Sequence, residues 1–179
     1  KINVSTEDLK IKLFLKIKKI MKSLQIKDQK EMIRKIFNLN NTTNMSELFL
    51  NLTDLKLLAK DKLVTIGSHS QDHLCLKKFD KDIICEQINN SKIYLEKSFK
   101  IPIKHFSYPY GQNEDIAFIE HEILSSLGFD TSVTTMDYSY KKFNSYYINR
   151  CSIGPNVNEN DFQRKLLGVD KILRKIFFR

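Results

Sequence analysis

The stretch Val64-Thr65-Ile66-Gly67-Ser68-His69-Ser70-Gln71-Asp72-His73 decides how this chain is read. A short β-prone run, Leu63 to Ile66, meets a glycine and then two histidines four residues apart. In α/β folds the position just past the C-terminal end of a strand is where sites are built. Histidines at i and i+4 share one face of a helical turn, so the spacing predicts that both imidazoles can reach one metal ion. Ser70 stands where a zinc protease helix of the His-Glu-X-X-His type needs its glutamate base, which excludes that class. Two loop histidines that hold nothing are the plainer alternative. Asp72, at i+3 from His69, is the nearest carboxylate.

Outward from this stretch, short helices alternate with short β-prone runs, the pattern of an α/β layer. A helix is predicted from Asp80 to Phe99, a strand from Ile103 to Tyr108, and a helix from Asn113 to Leu127 that ends at Gly128, a residue suited to the left-handed C′ position. Phe129 to Thr135 and Tyr146 to Cys151 read as further strands, and Asp161 as the cap of a closing helix. Four strands are too few to close a parallel barrel. Upstream, Leu9, Leu13, Ile17, Ile20, Met21 and Leu24 recur at helical spacing behind Ser5 and Thr6 as caps. A second helix opens on Asp28-Gln29-Lys30-Glu31, which has the form of a capping box, and runs to Phe37; a polar loop follows over residues 38–44. Thr53 reads as the cap of a helix to Lys60. The chain therefore divides into a helical insertion or subdomain over 1–52 and an α/β portion over 53–179.

A second segment adds weight to the histidine pair. Phe106-Ser107-Tyr108-Pro109-Tyr110-Gly111 closes the Ile103 strand. Pro109 restricts Tyr108 to extended backbone and Gly111 permits a sharp turn, so Tyr110 is expected on a strand-end loop with its backbone N–H directed into a site. A plain turn with two packed tyrosines is the alternative. His105 and His121 read as surface or packing histidines.

In order and spacing, His69-Ser70-Gln71-Asp72-His73, the helix containing Ile88 to Leu95, Phe106 to Gly111, Leu127 to Thr135 and Asn149 to Ile153 resemble the polysaccharide deacetylase family, the NodB-homology carbohydrate esterases. The resemblance covers roughly residues 53 to 170. It implies a partial, distorted (β/α) barrel with an N-terminal helical insertion. It also implies hydrolysis of N-acetyl groups on a sugar or polysaccharide with a divalent metal, usually zinc. His69 and His73 match the two histidine ligands of the family. Tyr110 matches the residue whose backbone N–H completes an oxyanion hole, and the resemblance implies that Tyr108, Pro109, Gly111 and Arg150 line the substrate groove; an ion pair with an acid at the barrel rim is the other role expected of Arg150. The chain also departs from the pattern. The first family motif, a strand ending in Thr-Phe-Asp-Asp that supplies the base and the third metal ligand, does not occur in the 179 residues. Ser107 stands where many members have arginine, and Ile148-Asn149-Arg150 aligns with the late Leu-X-His motif that supplies the acid. Two other readings compete with the enzyme: a non-catalytic carbohydrate-binding remnant of the fold, and a basic surface-binding module.

The basic reading turns on where the charge sits. The net charge is +9, but residues 1–52 hold eleven Lys or Arg against five acids, residues 53–160 thirteen against fourteen, and residues 161–179 six against two. The excess lies at the ends, and 25 of the 30 basic residues are Lys rather than the Arg that suits bidentate phosphate contacts, so nucleic acid is not the expected partner. Phe162, Leu166, Val169, Leu173 and Ile176, opposite Lys165, Lys171 and Arg174, form a stripe expected to pack on the domain, with an anionic membrane surface as the other possible contact. No apolar run approaches the roughly 18 residues needed to span a bilayer. Cys75, Cys85 and Cys151 are an odd number without close pairing, which favours a reducing compartment such as the cytoplasm. Residue 1 is Lys rather than Met, so an upstream start and any signal on it are expected to lie outside this stretch.

Overall fold

Strand β1, His105–Ser107, lies at the centre of a parallel layer. It pairs in parallel with β2, Thr131–Val133, in the register His105 to Thr131, Phe106 to Ser132 and Ser107 to Val133. Single parallel bridges extend the layer on both sides, Ser68 to Phe106 and Val133 to Ile148. The computed structural model describes residues 3–37, 49–136, 144–169 and 176. Among them the helices are α1 (Glu7–Met21), α2 (Ile26–Phe37), α3 (Leu52–Leu58), α4 (Lys81–Phe99), α5 (Phe118–Ser126) and α6 (Glu159–Leu166).

The strands are shorter than their sequence signals. Leu63 to Ile66 forms no strand: Asp61 bends the chain by accepting Leu63 N on its side chain (2.8 Å) and Val64 N on its carbonyl (3.1 Å), and Leu63 is 94% exposed. Ile103 to Tyr108 contracts to three residues, as does Phe129 to Thr135. Tyr146 to Cys151 contributes only the bridge at Ile148. A parallel ladder persists only where both neighbours are in register.

Helix positions agree better than helix starts. Thr6 caps α1 through Leu9 N as expected. Helix α2 begins at Ile26, so Asp28-Gln29 is not its cap; instead Gln29 Nε2 donates to Met21 O and Leu24 O, both at 3.1 Å, satisfying carbonyls left open at the end of α1. Asn51, not Thr53, caps α3, and Asn158, not Asp161, caps α6; each Asn side chain accepts the amide three residues on. The start of α5 moves from Asn113 to Phe118 because Asp115 turns inward. The polar loop 38–44 lies outside the described residues.

The core is built by one face of α4 and the strand ends. Ile84 and Ile88, four apart on α4, bury with Ile103, Phe106, Tyr108, Leu124 and Phe129. Each such side chain contributes roughly 1.5–3 kcal/mol by leaving water. Ser68, Ser91 and Ser132 are buried between the larger side chains, and the Ser68 and Ser91 hydroxyls bond at 2.8 Å. The N-terminal helices reach this core: Ile26 packs against it and Lys22 reaches Asp115. In α1 only Leu9, Leu13, Ile17 and Met21 are half-buried, while Ile11, Phe14 and Leu15 are exposed. Phe162 and Leu166 of α6 are likewise exposed rather than packed, and Leu173 lies outside the described residues. Among the described residues no helix is long and apolar enough to cross a membrane.

Glu120 is the exceptional core residue. It is 0% exposed, its Oε2 accepts Ala117 N at 3.0 Å, and its Oε1 has no partner among the described residues. Burial pushes its carboxyl from 4.5 up to about 7, against the pull of the Ala117 amide. The folded state therefore binds the proton more tightly than the unfolded chain, and stability falls as pH rises from about 4.5 to about 7, by roughly 3 kcal/mol. Glu120→Gln is expected to remove that slope, measured as the difference in urea unfolding free energy between pH 5 and pH 8 for the two proteins. Equal slopes would show that Glu120 does not titrate in this range.

Candidate functional site

Two loops meet at the C-terminal edge of the parallel layer. Ser68 N donates to His105 O and Ser107 N to Ser68 O, both at 2.8 Å, which sets the histidine loop beside the loop that leaves β1. The histidines do approach each other, but not as successive turns of a helix. Ser70 and His73 hold left-handed backbone, φ +63° and +54°, and the Ser70 hydroxyl accepts His73 N at 3.1 Å. This turn brings the two ring centroids to 4.7 Å. The His73 ring in turn stands 4.9 Å from the Tyr110 ring, edge to face.

The chemistry of each imidazole follows from its partner. His69 Nδ1 lies 2.6 Å from Ser107 O, and a carbonyl can only accept, so Nδ1 carries a proton and Nε2 is the nitrogen left to act as a ligand. Metal-ligating histidines are oriented by this kind of contact. Partial desolvation, with the neighbouring His69, lowers the His73 pKa and favours its neutral form. Neutral imidazole nitrogens are the kind of donor a divalent cation takes. Asp72 is not with them: its backbone N and its Oδ2 are taken by Gln87 of α4, each at 2.9 Å, and Lys30 stands 3.9 Å away. Among the described residues no group of three or more His, Cys, Asp or Glu is arranged to hold a metal. The donor set fits two coordination positions.

The Tyr110 loop is held from several sides. Tyr110 and Gly111 both have positive φ, +61° and +71°, and Gly111 N bonds back to Pro109 O at 2.7 Å. Thr135 N donates to Gly111 O at 2.9 Å, and the Thr135 hydroxyl donates to Tyr110 O. Tyr108 and Pro109, expected in the substrate groove, are buried; Tyr108 is 1% exposed. The Tyr108 hydroxyl donates to Tyr146 O and accepts from Ser132, both at 3.1 Å, and burial raises its pKa. Tyr108 thus anchors the loop, while half-buried Tyr110 faces the histidines. Arg150 is exposed, and its Nε donates to Thr134 O at 2.6 Å, a structural contact with a carbonyl rather than with an acid. His105 is exposed with Nδ1 2.8 Å from Thr131 Oγ1, and His121 packs 4.5 Å from the Tyr146 ring; neither joins the site.

Two residues at the site have no motif to announce them. Lys22, the residue following α1, bonds both carboxylate oxygens of Asp115, at 2.7 and 2.9 Å, with side chains only 19% and 3% exposed. Its ammonium also lies 4.8 Å from the centre of the Tyr110 ring. Burial works against the charge on Lys22, but the bond to Asp115 and its negative charge more than offset this, and the net effect raises the pKa. The Cys75 thiol, pushed up to about 11 by burial and then by Asp115, donates to the same carboxylate at 3.6 Å.

Fold and site together define a parallel α/β layer with paired histidines and a tyrosine loop at its strand ends. The chain belongs to the polysaccharide deacetylase family, whose sequence model matches residues 23–132. Among solved structures it is similar to the deacetylase PplD of Streptococcus pyogenes in complex with acetate, at 22% identity and TM-score 0.59, covering 69% of this chain and 55% of that one. It is also similar to BC0361, a polysaccharide deacetylase from Bacillus cereus (17%, TM-score 0.57, 65% and 36% covered), and to IcaB from Ammonifex degensii (18%, TM-score 0.50, 60% and 49% covered). The chain thus spans about half the length, or less, of these structures. No curated protein matches it.

The loop geometry makes one position unusually sensitive. A Cβ on Gly111 would stand 2.8 Å from Thr135 N, in addition to the strain of its positive φ, whereas one on Gly128 (φ +75°) meets nothing within 4 Å. Gly111→Ala is expected to cost about 1–3 kcal/mol, against about 1 for Gly128→Ala. The melting temperature should fall by roughly 2–12 °C and 2–4 °C respectively. The reverse order would show that the close approach to Thr135 does not constrain the loop.

Proposed function

We propose that this chain carries the two-histidine and tyrosine-loop portion of a metal-dependent deacetylase acting on N-acetylated sugars or their polymers. The reading rests on one observation above all. His69, with its Nδ1 proton fixed by Ser107 O, His73 and Tyr110 come together at a strand-end edge in a chain of the polysaccharide deacetylase family. The reaction is hydrolysis of an acetamide: water adds to the carbonyl carbon, the C–N bond breaks, and acetate and a sugar amine leave.

In this proposal His69 and His73 hold the cation, zinc by preference, each through a neutral ring nitrogen. When bound, such an ion lowers the pKa of its water toward about 7 and polarises a carbonyl oxygen. The Tyr110 backbone N–H is the proposed donor to the oxyanion, a contribution of about 3 kcal/mol where such donors have been removed elsewhere. The left-handed Tyr110-Gly111 turn supports this role, because it fixes the direction of that amide before substrate arrives. Gly111 allows the backbone to approach Thr135, and Tyr110 offers the sugar a ring face beside the histidines. We further read the parallel segments around Ser68, Phe106, Ser132 and Ile148 as part of the family's distorted (β/α) barrel. We read residues 1–52 as a helical insertion, whose described part reaches the core through Ile26 and Asp115 through Lys22, and residues 53–179 as the remainder of the deacetylase portion, the family match itself beginning at residue 23.

Zinc titration by calorimetry, paired with acetate release from N-acetylglucosamine oligomers, tests the proposal. We expect zinc binding at about 1 μM or tighter, equivalent to about −8 kcal/mol. His69→Ala and His73→Ala should each weaken it about 100-fold, or about 2.7 kcal/mol. The reaction also draws on the base and third ligand of the Asp-Asp motif that these 179 residues lack, and any acetate release by the unsubstituted protein should be lost in both variants. Oligosaccharide binding by an unsubstituted protein that takes up no zinc would overturn the enzyme in favour of the carbohydrate-binding alternative.

A further inference from the structure

We infer that the Lys22–Asp115 pair is a latch through which the N-terminal helical segment sets the conformation of the Tyr110 loop, making Lys22 and Asp115 positioning residues. The two groups are 93 positions apart in sequence and come from different elements, so their contact is purely tertiary. Asp115 is the junction. It takes both bonds from Lys22 Nζ, the Gln112 backbone amide at 3.2 Å and the Cys75 thiol at 3.6 Å. Those donors belong to three segments: the end of α1, the turn that follows Tyr110, and the chain that follows His73. One carboxylate therefore ties both strand-end loops to the N-terminal helices.

The loop needs such a restraint. Tyr110 is a non-glycine residue in left-handed backbone, a conformation that persists only where the surroundings over-determine it. Thr135 holds the loop from the β2 side through Tyr110 O and Gly111 O. Lys22 and Asp115 hold the opposite side, with the Lys22 ammonium set against the Tyr110 ring. Removing the ammonium leaves Asp115, 4% exposed, as a buried charge without its countercharge. The residue is relieved most directly by turning outward, which releases Gln112 and frees the turn carrying Tyr110. That the held loop serves deacetylation rests on the function proposed above; the latch itself does not.

Amide hydrogen exchange read by mass spectrometry on the whole chain tests it, with Lys22→Met, Lys22→Arg and Asp115→Asn. We expect exchange of the peptide covering Tyr110 to Gln112 to quicken about tenfold or more in Lys22→Met and Asp115→Asn, while peptides around Ile88 and Leu124 keep their rates. Lys22→Arg, which restores a charged fork to the carboxylate, should return the loop to its original rate. Unchanged loop exchange in Lys22→Met overturns the latch. So does a uniform acceleration that includes Ile88 and Leu124, or a failure of Lys22→Arg to rescue. Should Asp115→Asn not fold, the two Lys22 variants decide alone. With acetate release as a second readout, Lys22→Met should lower kcat with little change in KM. A protein that releases no acetate but shows the loop-specific exchange would retain the latch and lose only the proposed reaction.

Discussion

Ser68 gives its amide to His105 O and accepts that of Ser107, and on the other side of β1 Tyr108 N reaches Val133 O. These few backbone bonds carry the rest of the arrangement. They align three chain segments in parallel, so their C-terminal ends, and the loops that leave them, lie at one edge. Parallel strands cannot be joined by tight turns, and the connections, chiefly α4 and α5, return over the layer and bury their apolar faces on Phe106, Tyr108 and Phe129. Packing and site placement are therefore two results of one constraint. A slip of one residue in this register would exchange Phe106 for His105 or Ser107 in the core and move Ser107 O away from His69.

At that edge the backbone leaves ordinary conformations. Ser70, His73 and Tyr110 are non-glycine residues with positive φ, and all three lie in the two loops that meet. Local preference alone would not hold them there. The restraints come from the surroundings: the Ser70 hydroxyl on His73 N, Thr135 on the Tyr110 turn, and Asp115 on the segment that follows. Rigid placement of a ring and an amide before a ligand arrives lowers the ordering cost of binding. Buried Asp115 and buried Glu120 show the electrostatic side of the same economy. The first is matched by an ammonium, whereas the second has one oxygen without a partner among the described residues and a raised pKa.

The motifs were readable because they are local. His69 and His73, Tyr110 and Gly111, the long helix behind Asp80 and the left-handed Gly128 all follow from neighbouring residues. What failed locally failed for an identifiable reason. Leu63 to Ile66 has strand composition, yet the Asp61 turn and the lack of a partner beside it among the described residues leave it irregular. Tyr108 and Tyr110 are two positions apart and look equivalent in the motif, but the first turns into the core and the second toward the histidines. The histidine spacing suggested a helical face, and a left-handed turn achieves the same proximity.

The sequence by itself determined the family-bearing motifs, the α/β order and the identity of the paired imidazoles, since these depend on residue type and on spacings of a few positions. Only the tertiary structure decided that Asp72 faces Gln87, that Ser107 O fixes the His69 proton, and that Lys22 reaches Asp115 across the molecule. Those contacts join residues 15, 38 and 93 positions apart, and no local preference encodes them. They exist because the parallel register brings distant loops to one edge, where burial makes each polar group find the partner that geometry allows.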